Sequence, residues 1–355
     1  MARINIALWV CVLLFSAGCS SIGTRTITSD RFDYNAAISD SWKDQMLINL
    51  VKIRYGDSPV FLDIASVISQ YSMEGELRLM SSGLTASGAH SGVGVSGKYT
   101  DRPTITYNPL TGQKFVRRLL SPLPPAPLLS LVQAGWPIDF MFRVCVQAIN
   151  GIHNGAGAQL YARKADPEFY PLLHTLKKLQ ESSVLGMRIE GEKDKKAAML
   201  YFRRKIIDES TAADIAHVKH ILGLNPKCHE FKLTYGSESE NSDEIAILSR
   251  SMFEIMVEIA SHIEVPVDHV TDKIATPTNI ETPDGRAEYQ PLIRIKGGSE
   301  KPATDFVAVQ YEDHWFWIDK RDLSSKRTFS ILLFLFRLAE TGDTPAAPLL
   351  TVPIG

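Results

Sequence analysis

The sequence predicts an α+β fold: an N-terminal helical region carrying a long glycine-rich β-hairpin, then a helix–β–β–helix–β order that occurs twice. Three observations lead there. Apolar residues recur at helical spacing over residues 35–54. They switch to a period of two over residues 70–79. From Pro167 onward, short helical and strand patterns follow one another in the same order twice.

The chain has 355 residues, of which 45% are hydrophobic and 22% charged, a globular composition with room for two domains. A formal net charge of −2 excludes nucleic-acid binding by bulk charge. Four cysteines are too few for a disulfide scaffold at this length. Cys145 and Cys228 can pair in an oxidising compartment. The apolar neighbours Phe142, Val144, Val146 and Ile149 suit a buried Cys145 thiol equally well, and no essential disulfide is expected.

At the N-terminus Arg3 precedes an uncharged stretch whose apolar part, residues 4–15, falls short of the about 20 residues a bilayer needs. It has the length and flanks of a signal-peptide core. Ser16, Ala17, Gly18 and Cys19 follow, and this run resembles the lipobox of bacterial lipoproteins. The resemblance implies cleavage of residues 1–18, a diacylglycerol on the Cys19 sulfur and a further acyl chain on the new amine. Two or more chains anchor stably where one does not. In such lipoproteins an aspartate after the cysteine signals inner-membrane retention. Ser20 stands there instead, which implies the outer membrane, facing the periplasm. No later segment has a spanning length of apolar residues, so lipid at Cys19 is the expected membrane attachment.

Residues 19–34, rich in Ser and Thr, read as a lipidated tether, 35–160 as helices plus the hairpin, and 161–355 as the α+β region, dividing near residue 240. In the 35–54 helix Trp42, Met46, Leu47, Leu50 and Ile53 keep helical spacing, and Gly56 and Pro59 stop it. Next, Tyr71, Met73, Leu77 and Leu79 alternate with Ser72, Glu74, Glu76 and Arg78, a half-buried strand. Residues 81–97 carry Gly83, Gly88, Gly92, Gly94 and Gly97 among small residues, with no Asp, Glu, Lys or Arg. A strand pattern resumes at 102–107, so the whole reads as one hairpin. Its uncharged distal part lacks a common guard against strand pairing, and the five glycines are candidate interaction positions. A solvated flexible loop is the plainer alternative.

Residues 111–120 form an amphipathic helix and 121–127 a proline-stiffened connector. Helices at 128–134 and 138–149 flank Gly135, Trp136 and Pro137. Their outline is that of a helix-turn-helix, but the second helix is apolar rather than basic, which favours a packed corner. The first repeat is then a helix at 167–180, strands at 184–190 and 197–203, a helix at 212–222 and a strand at 230–235. The second is a helix at 243–262, strands at 292–296 and 306–311 extended by 314–318, a helix at 328–340 and a strand at 349–353. Residues 332–336 are apolar nearly all round, which predicts a buried helix.

Chemistry is sparse. His217 and His220 can present two imidazoles from one helix, with Cys228 and His229 nearby, but two partly exposed histidines are the better reading and no metal is expected. Asp319 and Asp322 suit an acid/base pair, and Lys320 and Arg321 an anion site. The favoured reading is a strand burying Trp315, Phe316 and Trp317, a charged turn, and Ser324 or Ser325 capping the next helix. No nucleophile elbow, phosphate loop or dinucleotide fingerprint occurs, so no catalytic residue and no cofactor are assigned.

The segments 49–57, 102–112 and 314–330 resemble blocks in uncharacterised predicted lipoproteins of proteobacteria, a likeness that runs over most of the chain and carries no activity. The leading expectation is a non-catalytic envelope lipoprotein that binds a protein partner or a second copy of itself. The alternatives are an oligomeric secretion or pore component built from the 70–107 hairpin, and an envelope hydrolase using the stretch around Asp319.

Overall fold

The computed structural model describes residues 22–68, 71–81, 91–101, 104–156, 163–190, 197–203, 208–278 and 292–340. Cys19, the signal segment and the strand expected at 349–353 lie outside them. The architecture is α+β, as the sequence predicts. In chain order its elements are α1 (Ile22–Arg54), β1 (Leu62–Ile68), β2 (Tyr71–Ser81), β3 (Ser91–Asp101), β4 (Thr104–Pro109), α2 (Gly112–Leu120), α3 (Pro125–Gln133), α4 (Ile138–Cys145), β5 (Val146–Ile149), β6 (Ile152–His153), α5 (Phe169–Glu181), β7 (Leu185–Glu190), β8 (Ala197–Phe202), α6 (Glu209–Ile221), β9 (Glu230–Tyr235), β10 (Glu244–Ser249), α7 (Met252–Ser261), α8 (Val267–Thr271), β11 (Lys296–Gly298), β12 (Val307–Tyr311), β13 (His314–Ile318) and α9 (Leu323–Glu340). The chain forms two compact units. Of the described residues, one gathers 22–57 with those of 257–333, the other those of 58–156, 163–256 and 334–340.

In the first unit α1 begins well before residue 35, so most of the expected tether is helical. No proline or glycine lies between Thr24 and Arg54 to break it sooner. Met46, Leu47, Leu50 and Val51 are buried, and the helix packs on β12 and β13. It ends in a Schellman motif. The Asp57 N–H donates to the Lys52 carbonyl and the Gly56 N–H to that of Ile53, with Gly56 at φ +80°. The buried Arg54 guanidinium donates to the Thr276 hydroxyl and carbonyl, each at 2.6 Å, which fixes the helix end. Strands β11, β13 and β12 form an antiparallel sheet in that order, with Val307, Phe316 and Ile318 buried. Glu312 and Asp313, both at positive φ (47° and 58°), make the two-residue turn between β12 and β13.

In the second unit six strands run in the order β6-β5-β10-β9-β8-β7, with β9 and β10 parallel and the other neighbours antiparallel. Leu200, Phe231, Leu233, Ile245 and Ile247 are buried on it, as are Leu172, Leu173 and Leu176 of α5 and Met141, Phe142 and Cys145 of α4.

The first predicted helix–β–β–helix–β run is present as α5, β7, β8, α6 and β9. The second departs at its start: a strand, β10, stands at 244–249, where a helix was expected from residue 243. The helix begins only at Met252, because Ser251 and Glu254 form a reciprocal capping box. The Glu254 N–H donates to Ser251 Oγ at 3.2 Å and the Ser251 N–H to Glu254 Oε2 at 2.7 Å.

Other boundaries moved too. The proline connector already enters α3 at Pro125, since a first-turn proline loses no helical hydrogen bond. The helix expected over 138–149 stops at Cys145, and Val146–Ile149 pairs with β10 instead. The apolar run in α9 buries Ile331, Leu332 and Leu335 but leaves Phe334 49% and Leu338 41% exposed, so this helix is amphipathic.

Candidate functional site

The hairpin is observed. β2 and β3 pair antiparallel through eleven consecutive partners, from Tyr71↔Asp101 to Ser81↔Ser91. β1 and β4 pair in the same register, Ser66↔Thr106 to Ile68↔Thr104. β1 went unpredicted from the sequence. Among the described residues no third strand joins either ribbon.

Residues directly opposite in an antiparallel pair share a face, and the face alternates along each strand. One face of β2–β3 therefore takes the positions Met73↔Tyr99, Leu77↔Val95 and Leu79↔Val93. The other takes Glu74↔Lys98, Glu76↔Ser96 and Arg78↔Gly94. Gly92 and Gly94 fall on the charged face, opposite Met80 and Arg78, while Gly97 faces Gly75 on the apolar one. Gly83 and Gly88 lie outside the described residues.

Asp319 and Asp322 come out as structural groups. Asp319 Oδ1 accepts the Arg321 N–H at 2.9 Å, and Oδ2 pairs with Lys296 Nζ at 3.1 Å. These bonds, the backbone one foremost, hold its carboxyl below the usual aspartate value. Asp322, not Ser324 or Ser325, is the cap of α9: its Oδ1 accepts the Ser325 N–H at 3.0 Å. Of the three aromatics expected to be buried on β13 only Phe316 is, while Trp315 and Trp317, on the opposite face of the strand, are half-buried. His217 and His220 sit on α6, and Cys228 donates to Asp243 Oδ1 at 3.2 Å. Among the described residues these groups do not converge on a common donor set.

A different set does converge, in the first unit. Asp268 and His269 of α8 and His314, the first residue of β13, bring one carboxylate oxygen and one nitrogen of each ring within 4.8 Å of one another. The imidazoles pack edge to face with centroids 4.5 Å apart. His269, 8% exposed, has its Nδ1 2.7 Å from the Tyr55 hydroxyl, and His314 Nδ1 donates to the Glu312 carbonyl at 3.0 Å. Tyr55 stacks at a tilt on Tyr311, 5.1 Å between centroids, and the Tyr311 hydroxyl donates to the Asp57 carboxylate. Burial pushes the Tyr55 phenol up to about 12. An open cleft of about 380 Å³ adjoins Tyr55, lined also by Arg54, Val270, Lys273, Ile274 and Thr276.

Sequence reasoning missed this cluster. His269 and His314 belong to different elements, and no local spacing announces their meeting. Compared with known protein families, characterised proteins and solved structures, the chain matches none.

Proposed function

We propose that this chain is a bacterial lipoprotein, acylated at Cys19 and held on the periplasmic face of the outer membrane, that works as a non-catalytic binding component by strand pairing with a second copy of itself. The observation that carries the pairing is the β2–β3 ribbon, eleven pairs long, amphipathic, and with no further strand alongside it among the described residues. An isolated two-stranded ribbon is marginal in water, and open edges are templates for another chain. The anchoring rests on Ser16, Ala17, Gly18 and Cys19 after an apolar run. No helix among the described residues is long and apolar enough to cross a membrane.

A second reading follows from the same alternation. Strands of about 9–11 residues with one apolar and one polar face suit a closed membrane barrel made of several hairpins. We place the hydrolase reading behind these two, because Asp319 and Asp322 each accept backbone hydrogen bonds of a turn and a helix cap.

Two measurements test the proposal. Intact mass of the protein from membranes is expected to show a chain starting at an acylated Cys19, and an unmodified Cys19 removes the anchor. Sedimentation in detergent is expected to show an oligomer that deletion of residues 83–97 converts to a folded monomer. A monomeric wild type refutes the pairing.

A further inference from the structure

We propose that Asp268, His269 and His314 bind a divalent first-row transition ion of the zinc and cobalt type, clasping α8 to the start of β13. Four observations carry it.

The donors already converge. A carboxylate oxygen and one nitrogen from each imidazole lie within 4.8 Å of one another. Ligands held 2.0–2.2 Å from a tetrahedral ion stand about 3.4 Å apart, so small side-chain rotations close the set.

The rings are braced as metal ligands are. A carbonyl only accepts, so the His314 Nδ1 at the Glu312 carbonyl carries the proton, and its Nε2 keeps the lone pair. The Tyr55 hydroxyl, 2.7 Å from His269 Nδ1, fixes the orientation of that ring and accepts from it in the tautomer that leaves Nε2 its lone pair. Histidine ligands commonly donate their second nitrogen to such a partner, which fixes tautomer and orientation.

The surroundings favour a cation. Asp268 brings a carboxylate to the cluster itself, and the Asp57 carboxylate accepts the hydroxyl of Tyr311, which stacks on Tyr55. The nearby guanidinium, that of Arg54, spends its Nη donors on Thr276.

The donor set selects the ion. Two imidazoles and one carboxylate suit zinc, cobalt or nickel, whereas calcium and magnesium need an oxygen cage. Three protein ligands leave one coordination position for water.

The test uses the full-length protein in detergent, stripped with a chelator and titrated with Co²⁺. The expected result is one ion per chain with a visible ligand-field band, displaced by Zn²⁺ and untouched by excess Ca²⁺. His314→Ala and Asp268→Asn, at positions that are not buried, should remove the band while leaving the far-UV spectrum and the metal-free melting temperature unchanged. Tyr55→Phe should weaken binding about 10–100-fold. His217→Ala combined with His220→Ala should change nothing. Absence of Co²⁺ binding, binding that survives both ligand variants, or displacement by Ca²⁺ would overturn the proposal.

Discussion

Asp322 holds Ser325 at two points: its Oδ1 accepts the Ser325 N–H at 3.0 Å and its Oδ2 accepts the Ser325 hydroxyl at 2.7 Å. The same hydroxyl accepts the Arg294 N–H at 2.8 Å, so one carboxylate caps α9 and also orients the group that ties down residue 294. Asp322→Ala should therefore cost about 1–2 kcal/mol, the upper part of the capping range. Ser324→Ala, at an exposed position, should cost little. Urea midpoints decide, and equal losses would restore Ser324 as the cap.

That correction shows where local reading ran out. Aspartate and serine both cap helices, and the sequence 322–325 offers both, so boundary geometry had to choose between them. Periodicity served where one face is buried and the other wet. The 230–235 strand was legible because alternation exposes its polar side, and the long hairpin because apolar and polar residues alternate in its sequence. It failed at 244–249, a short apolar run that suits strand or helix equally. Yet Ser251 and Glu254 carry the capping-box spacing that dates the helix start to Met252, a signal present in the sequence and passed over. The Asp268, His269 and His314 cluster had no such signal, since its parts meet only through tertiary packing.

Acid should destabilise both units through specific carboxylates. The His153 N–H, and then Arg163, hold Asp166 below its ordinary value. The Arg321 N–H, and then Lys296, do the same for Asp319. A depressed carboxyl adds stability above the unfolded value of about 3.9, and that stability is lost as pH falls through the folded value. Denaturant midpoints measured against pH should drop across this acid window. Asp166→Asn should be less stable than wild type at neutral pH and show a shallower drop. Parallel profiles would mean that Asp166 contributes nothing.

The two described cysteines should differ sharply in reactivity. Cys145 is fully buried, which pushes its thiol up to about 12. Cys228 is partly exposed, but its hydrogen bond to Asp243 raises it as well. Alkylation of native protein at mildly alkaline pH should label Cys228 slowly and Cys145 only after unfolding. Asp243→Asn should speed labelling of Cys228. Peptide mapping that finds both labelled at one rate, or a bond between them, contradicts this assignment.

The hairpin offers the sharpest separation of readings, because neighbouring positions on β3 belong to opposite faces. Val95 lies opposite Leu77 on the apolar face, and Ser96 opposite Glu76 on the charged one. An ammonium at 95 must be desolvated if that face is covered by another copy or by lipid, a cost of several kcal/mol for an unpaired charge. At 96 the same ammonium takes the register position directly opposite Glu76, where opposite charges pair favourably. Val95→Lys should therefore dissociate the detergent-solubilised oligomer, whereas Ser96→Lys should leave it intact, with the melting temperature of the folded body equal in both. A solvated hairpin without a partner would make the two variants indistinguishable from wild type. Loss of the oligomer in both would mean that pairing along the strand edges tolerates a new charge on neither face.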